Sequence, residues 1–526
     1  MEDVSFPADF NLARWLLDSN LDAGRGNKVA LRCHDEAWTY EALVEASNRF
    51  GNALRSLGLS QEDRVLMIVP DRPEFVITWF GLLKVGGVFA MVNPHLPSED
   101  YAHYLNYTRA RVAVIDAEAL PRVAPHLPHA RWLKAVVVVG AGDNPLGSGG
   151  APRHYFEELL LRHSPTLEYA PTGPDDLAGW LFTSGSTGKP KAAVHLHQDF
   201  AFNIENYAKK VLGIREDDIT LGVPKLFFGY ATGTNLMFPF VVGGTSIIFP
   251  ERSTADTLFD LIERFRPTLL TSVPTMINAM EQHPRAERSD LSCLRMVLSA
   301  GEALPPELYF RWMRRFGVEI LDGIGSAEMF HIYISNYPGA VKPGSLGRLV
   351  PGYSARVVGA EGQEVKTGEV GRLNIIGRSA AVMYWGDRAK SVATFQGDTC
   401  LTGDLFRQDG EGYFWYEGRA DDMLKVGGIW VSPLEVENCL LCHEVVAEVA
   451  VVGAEEEGGL IKPHAFVVVK EGVEATTQLK ELLISYTRSQ LAYYKYPRWI
   501  DFVPHLPKND RGKVDRKVIR TWTQTP

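Results

Sequence analysis

Short apolar runs rich in β-branched residues alternate with helix-spaced segments over most of the first 340 residues, and this alternation limits the fold more than any other feature. Arg64-Val65-Leu66-Met67-Ile68-Val69-Pro70 is such a run closed by a proline, the mark of a buried strand. Thr39 stands where a helix cap belongs, and the segment from it to Leu57 has helical spacing. Glu74 to Leu83 reads as the next helix, and Val88 to Val92, Val112 to Ile115 and Val136 to Val139 as further strands. Strand, helix, strand, repeated, calls for a parallel sheet with helices on both faces. A second region of this kind runs from about Gly179 to Pro338, with its clearest strands at Thr245–Phe249, Leu269–Val273 and Met296–Ala300. From Gly344 to Gly418 the pattern changes to short strands between Gly, Asp and Glu turns, a small β unit of barrel-like character. Ser432 then caps a helix with Pro433 in its first position. The expected fold is α/β. A large N-terminal domain, 1–418, comprises two βαβ-type subdomains (about 1–178 and 179–340) and the β unit (341–418). A small α+β C-terminal domain, 419–526, follows.

A chain of 526 residues has room for roughly three to four such units. Its net charge of −10 argues against nucleic acid as a main partner. Five sparse cysteines fit a reducing cytoplasm better than a disulfide scaffold. The longest apolar stretch, Leu236 to Phe249, is broken by Pro239 and Gly243-Gly244 and falls short of the roughly 20 residues of a membrane span. It reads as buried core. Neither end carries a signal-peptide, peroxisomal or prenylation pattern, so the expectation is a soluble, cytoplasmic enzyme with no membrane partner.

Thr183-Ser184-Gly185-Ser186-Thr187-Gly188-Lys189-Pro190-Lys191 follows the apolar run Trp180-Leu181-Phe182. Its small residues let backbone N–H groups turn toward anionic oxygen, and its hydroxyls and two lysines add donors and charge. This is chemistry for nucleotide phosphates. It is not a Walker A loop: position 183 is threonine where that motif needs glycine, and Pro190 blocks the following helix.

The nonapeptide resembles the phosphate loop of the adenylate-forming enzymes, the superfamily of acyl-CoA synthetases, peptide-synthetase adenylation domains and luciferases. The resemblance continues in order along nearly the whole chain. Ser299-Ala300-Gly301-Glu302-Ala303 is similar to the stretch that packs on adenine. Asp322-Gly323-Ile324-Gly325-Ser326-Ala327-Glu328 is similar to the loop with the magnesium glutamate. Thr402-Gly403-Asp404 resembles the ribose loop, Gly418-Arg419-Ala420-Asp421-Asp422 the hinge, and Gly512-Lys513-Val514-Asp515-Arg516 the C-terminal lysine segment. The resemblance implies ATP and Mg2+ as cofactors and a thiol acceptor, with acyl-AMP formed first and thioester second. It implies that Lys513 reaches substrate carboxylate and α-phosphate, and that Glu328 holds magnesium. It also implies that Asp404 and Arg419 meet the ribose, and that Thr183, Ser184, Thr187 and Lys191 hold pyrophosphate. Asp421 would be the pivot of a mobile C-terminal domain, with Lys425, Gly427 and Gly428 lining the thiol tunnel.

Three positions depart from the family pattern. Ala327 replaces a threonine that bonds the α-phosphate, Trp430 an arginine after the hinge, and Phe228 a histidine. Ser326 or backbone would have to compensate for Ala327, because a hydrogen bond to a charged group is worth about 1.5–3 kcal/mol. Lys225-Leu226-Phe227-Phe228-Gly229-Tyr230 and His331-Ile332 look most like the benzoate–CoA ligase branch. Phe228, Tyr230, Ala231, Gly325, His331 and Ile332 would then form a slot for a small aromatic acid, benzoate or a 2-aminobenzoate-like relative. The absence of an attached carrier domain favours free coenzyme A over loading of a carrier protein, and the resemblance leaves room for a homodimer.

Three further strings carry no such chemistry. Cys439-Leu440-Leu441-Cys442-His443 spells a haem-attachment string but lies in the helix from Pro433 and reads as small buried helix cysteines. Gly140-Ala141-Gly142 has proline at 145 where a dinucleotide fingerprint needs glycine. His195 and His197 have no third metal ligand and read as structural.

Overall fold

A computed structural model describes residues 4–140, 151–183, 189–426, 429–456, 460–508 and 514–523. Two large sheets dominate it. The first has eight strands, in spatial order Met383–Tyr384, Lys191–Leu196, Leu177–Thr183, Val88–Met91, Arg64–Ile68, Val112–Asp116, Ala135–Val139 and Arg153–Tyr155. Its centre is parallel, as the alternating pattern requires, and two antiparallel strands close one edge. The second has nine strands: Arg348–Leu349, Ile332–Ser335, Ile320–Gly325, Met296–Ala300, Leu269–Ser272, Ile219–Gly222, Thr245–Ile248, Val29–Cys33 and Glu36–Thr39.

Sheet membership cuts across the sequence blocks 1–178 and 179–340. Val29–Cys33 pairs in parallel with Thr245–Ile248, and Met383–Tyr384 pairs with Lys191–Leu196. Leu177–Thr183 joins the first sheet beside Val88–Met91. Gly179 makes this possible, because a Cβ there would lie 2.0 Å from the Phe89 ring. The β unit is an antiparallel sheet of Ser354–Val358, Gly371–Ile376, Thr399–Gln408, Phe395–Gln396 and Phe414–Arg419. Its strand pairs do not close into a ring among the described residues. Beyond it come the hairpin Leu424–Val426 and Ile429–Val431 and a sheet of Val446–Glu456, Leu460–Val469 and Trp499–Phe502. The helices Pro433–Leu441, Thr477–Gln490 and Arg516–Trp522 accompany that sheet.

Local chemistry accounts for the element ends. Thr39 Oγ1 accepts from the Ala42 N–H and starts the helix Tyr40–Ser56. Ser432 does the same for Pro433–Leu441 through the Glu435 N–H. The apolar stretch at 236–249 is buried, as its composition requires: Leu236, Met237, Phe238, Phe240, Ile247, Ile248 and Phe249 are all inside. Gly243, at φ 80°, ends the helix Phe238–Val242 and turns the chain into the strand Thr245–Ile248. Among the described residues no helix is long and apolar enough to cross a membrane. The two helix cysteines differ from expectation: Cys439 is half-buried and Cys442 exposed. Cys442 sits at the helix C-cap and looks outward, while Leu440 takes the inward position.

Candidate active site

The C-terminal ends of the parallel strands gather the polar residues. Thr183 and Lys191 pair directly across the antiparallel strands that flank the phosphate loop. Ser184, Gly185, Ser186, Thr187 and Gly188 lie outside the described residues, as do Gly427, Gly428 and Lys513. The Trp430 side chain also lies outside the description.

Glu328 occupies the short helical turn Ala327–Met329 after the strand Ile320–Gly325. Four contacts fix this turn against the strands that follow the phosphate loop. The Ala381 N–H donates to the Glu328 carbonyl at 2.8 Å, and Ser379 Oγ donates to the Met329 carbonyl at 2.9 Å. Tyr384 Oη donates to Glu328 Oε1 at 2.7 Å. His195 Nε2 donates to the Ala327 carbonyl at 2.7 Å, and its Nδ1 lies 3.1 Å from Asp199 Oδ2. Both groups opposite the ring are acceptors, so the buried His195–Asp199 pair keeps the second proton between them. The structural reading of His195 is thereby given a specific content. His197 is also buried and accepts from the Leu12 N–H through Nδ1.

Asp322 lies on the neighbouring strand and is 5% exposed. Burial pushes its carboxyl up to about 8. Its Oδ1 has no hydrogen-bond partner, and neither do Ser299 Oγ or Ser326 Oγ. Unpartnered buried polar atoms cost about 1–3 kcal/mol each, so a group of them marks a surface shaped for a polar ligand. Gly301, at φ 92°, follows the strand Met296–Ala300, and Glu302 accepts from the Thr275 hydroxyl at 2.7 Å. Ala303 and Ile324 are half-buried nearby in sequence. Gly323 and Gly325 admit the adjacent strand: a Cβ at these positions would lie 2.7 Å from the Ile334 carbonyl and 2.4 Å from the His331 carbonyl.

His331 stands at the base of an aromatic cluster. Its ring centroid is 4.9 Å from Phe238, 5.3 Å from Tyr230 and 5.7 Å from Tyr207. Nε2 donates to the Tyr230 carbonyl at 3.0 Å, leaving Nδ1 as an unpartnered buried acceptor. Burial lowers its pKa to about 4, so the ring is neutral near pH 7. Tyr230 Oη is likewise buried without a partner. Phe228 flanks Phe227, and Ala231 and Ile332 are buried. Phe330, between Glu328 and His331, is held at φ 66°. A phenylalanine rarely adopts that conformation, and such strain is characteristic of functional segments. Sequence reasoning missed Gly233, where a Cβ would lie 2.4 Å from the His331 ring. It also missed Tyr384, which no local motif marks.

Asp404 and Arg419 face each other across antiparallel strands, with Nη1 and Oδ1 3.4 Å apart. Gly403 at φ 75° makes the turn that presents Asp404. Asp421 is exposed on the turn that follows, and Lys425 is exposed on the hairpin beyond. Among the described residues no group of three or more His, Cys, Asp or Glu gathers to cage a metal. A single carboxylate at a phosphate site nevertheless suits magnesium, which is usually held by one or two carboxylates plus substrate phosphates.

The AMP-binding enzyme family matches residues 19–385, and the AMP-binding enzyme C-terminal domain matches residues 435–513. The chain belongs to the AMP-binding enzyme family. It is 44% identical to a benzoate–CoA ligase of Thauera aromatica, over 98% of this chain and 97% of the relative. Among solved structures, an anthranilate CoA ligase in complex with anthranoyl-AMP superposes with a TM-score of 0.93. It is 38% identical, and the match covers 99% of this chain and 98% of that one. A benzoate CoA ligase from Burkholderia xenovorans LB400 superposes with a TM-score of 0.89 at 41% identity, over 97% and 100% of the two chains.

Proposed function

We propose that the protein is an ATP-dependent aryl-acid–CoA ligase, forming an aryl-adenylate and then an aryl thioester of coenzyme A. The observation that carries this reading is the juxtaposition of two surfaces at one sheet end. Unpartnered Asp322, Ser299 and Ser326 lie on one side, and the aromatic cluster around His331 lies on the other. An aryl-AMP has the matching halves. The likeness to benzoate and anthranilate ligases over nearly the whole chain supports the same acid class. The expected acid is benzoate or a 2-aminobenzoate-like relative, and the expected setting is the cytoplasm.

In the first half-reaction a carboxylate oxygen attacks the α-phosphorus, and the bond to the β-phosphate bridge breaks, releasing pyrophosphate. In the second, the coenzyme A sulfur attacks the acyl carbon, AMP leaves and the thiol proton passes to solvent. The two anions of the first step repel at short range. Lys191 and Lys513 would offset that repulsion at the phosphates, and Asp404 would orient the ribose through charge-assisted hydrogen bonds. Bound magnesium would be held by Glu328 and would neutralise phosphate charge. The unpartnered Ser326 hydroxyl is placed to supply the contact that Ala327 lacks. Asp421 would be the pivot that brings the C-terminal unit's second face to the adenylate.

Incubation with ATP, Mg2+, coenzyme A and a panel of aromatic and aliphatic acids tests the reading. Aryl-CoA, AMP and pyrophosphate should form in equal amounts with small aromatic acids. Turnover of aliphatic acids alone would contradict it.

A further inference from the structure

Tyr384 stands between two groups of opposite charge. Its side chain is buried, with 5% of the residue exposed, and its ring packs on Phe395 at 5.0 Å between centroids. The strand that carries it pairs with the strand leaving the phosphate loop, Tyr384 opposite Ala193. The hydroxyl donates to Glu328 Oε1 at 2.7 Å, and the ring face lies 5.4 Å from Lys191 Nζ, within cation–π range. A lysine and a glutamate both within reach of one ring would gain by pairing with each other in a partly dry site. Such a pair would have to break before a triphosphate and its metal could use either partner.

We propose that Tyr384 is a positioning residue that prevents this collapse, its hydroxyl holding the Glu328 carboxylate and its ring holding the Lys191 ammonium until nucleotide binds. The hydroxyl occupies one carboxylate oxygen, so the other is kept aimed for a hard cation. The ring contact leaves the ammonium protons free for phosphate oxygens. The proposal rests on the reading of Glu328 as the metal-holding carboxylate.

Tyr384→Phe removes one oxygen and keeps the ring on Phe395 and beside Lys191, so the packing of the buried ring is preserved. Binding of Mn2+ in the presence of ATP, followed by electron paramagnetic resonance, reads the metal site without turnover. The variant should bind Mn2+·ATP about tenfold more weakly, the worth of one hydrogen bond to a charged group. Its KM for the aromatic acid and its rate of thioester formation from supplied aryl-AMP should match the parent. Glu328→Gln, measured in parallel, should weaken Mn2+ binding at least as much. Parent-like Mn2+ affinity in Tyr384→Phe alone overturns the proposal. Equal losses in Mn2+ binding, acid KM and thioester formation also overturn it, because they indicate a packing role. Parent-like affinity in Glu328→Gln overturns the metal reading of Glu328 and the proposal together.

Discussion

Asp322 and His331 lie nine residues apart, and burial suppresses the charge of both. For Asp322 the folded carboxyl is raised from 3.8 to about 8. A raised folded pKa gives stability that is present below the unfolded value and lost as pH rises through the folded one. The protein should therefore lose stability between about pH 4 and pH 8 through this residue. Asp322→Asn keeps the shape without the titration, so its melting temperature should fall less across that window. Equal slopes for the two proteins in a thermal-melt series would count against a buried, protonated Asp322. His331 shifts the other way, from 6.5 to about 4, and contributes no charge near neutrality. Its Nδ1 therefore presents a lone pair, not a proton, to the pocket. Glu328, Asp322 and His331 were readable in the sequence because they sit in one short, glycine-spaced segment. Gly233 was not, since a glycine shows its purpose only when the ring that fills its Cβ space is known.

The helices Tyr40–Ser56 and Pro73–Lys84 cross where Gly51 meets Gly81. A Cβ on Gly81 would lie 2.6 Å from the Ser47 carbonyl, which is backbone and has nowhere to go. Gly81→Ala should destabilise the protein by about 1–3 kcal/mol through overpacking, although alanine is the better helix former. Denaturant titration checks this, and a parent-like midpoint would contradict it. Elements governed by local rules were legible: Thr39 marks one helix start, Ser432 and Pro433 another, and proline closes the run at Val69-Pro70. Partners of strands were not. Val29–Cys33 crosses to the second sheet, and the two-residue strand Met383–Tyr384 completes the first. Periodicity specifies that a segment is a strand and which residues face inward, but it carries no information about a partner some 190 residues away, as Met383 is from Val194. Tyr384 was missed for this reason: its importance comes from the pairing that sets it between Lys191 and Glu328.

The whole chain carries a net charge of −10 and handles anionic substrates. Its lysines must therefore act at contact distance rather than through a long-range attractive field. The units are tied at the hinge by few contacts. Arg520 pairs with Asp422 at 2.6 Å, and Ser432 Oγ donates to the Glu417 carbonyl at 2.5 Å while capping its own helix. Within the C-terminal unit, Arg516 pairs with the buried Glu437, fixing the last helix on its sheet. A rigid unit on a narrow attachment suits an enzyme whose two half-reactions need different groups at one adenylate. The account stands or falls on that adenylate. The most direct measurement mixes the enzyme with ATP, Mg2+ and a small aromatic acid while coenzyme A is withheld, then adds the thiol. It predicts a stoichiometric burst of pyrophosphate with aryl-AMP retained on the protein, then discharge to aryl-CoA and AMP when coenzyme A is added. No pyrophosphate until the thiol is present, or ADP and phosphate as products, would contradict it.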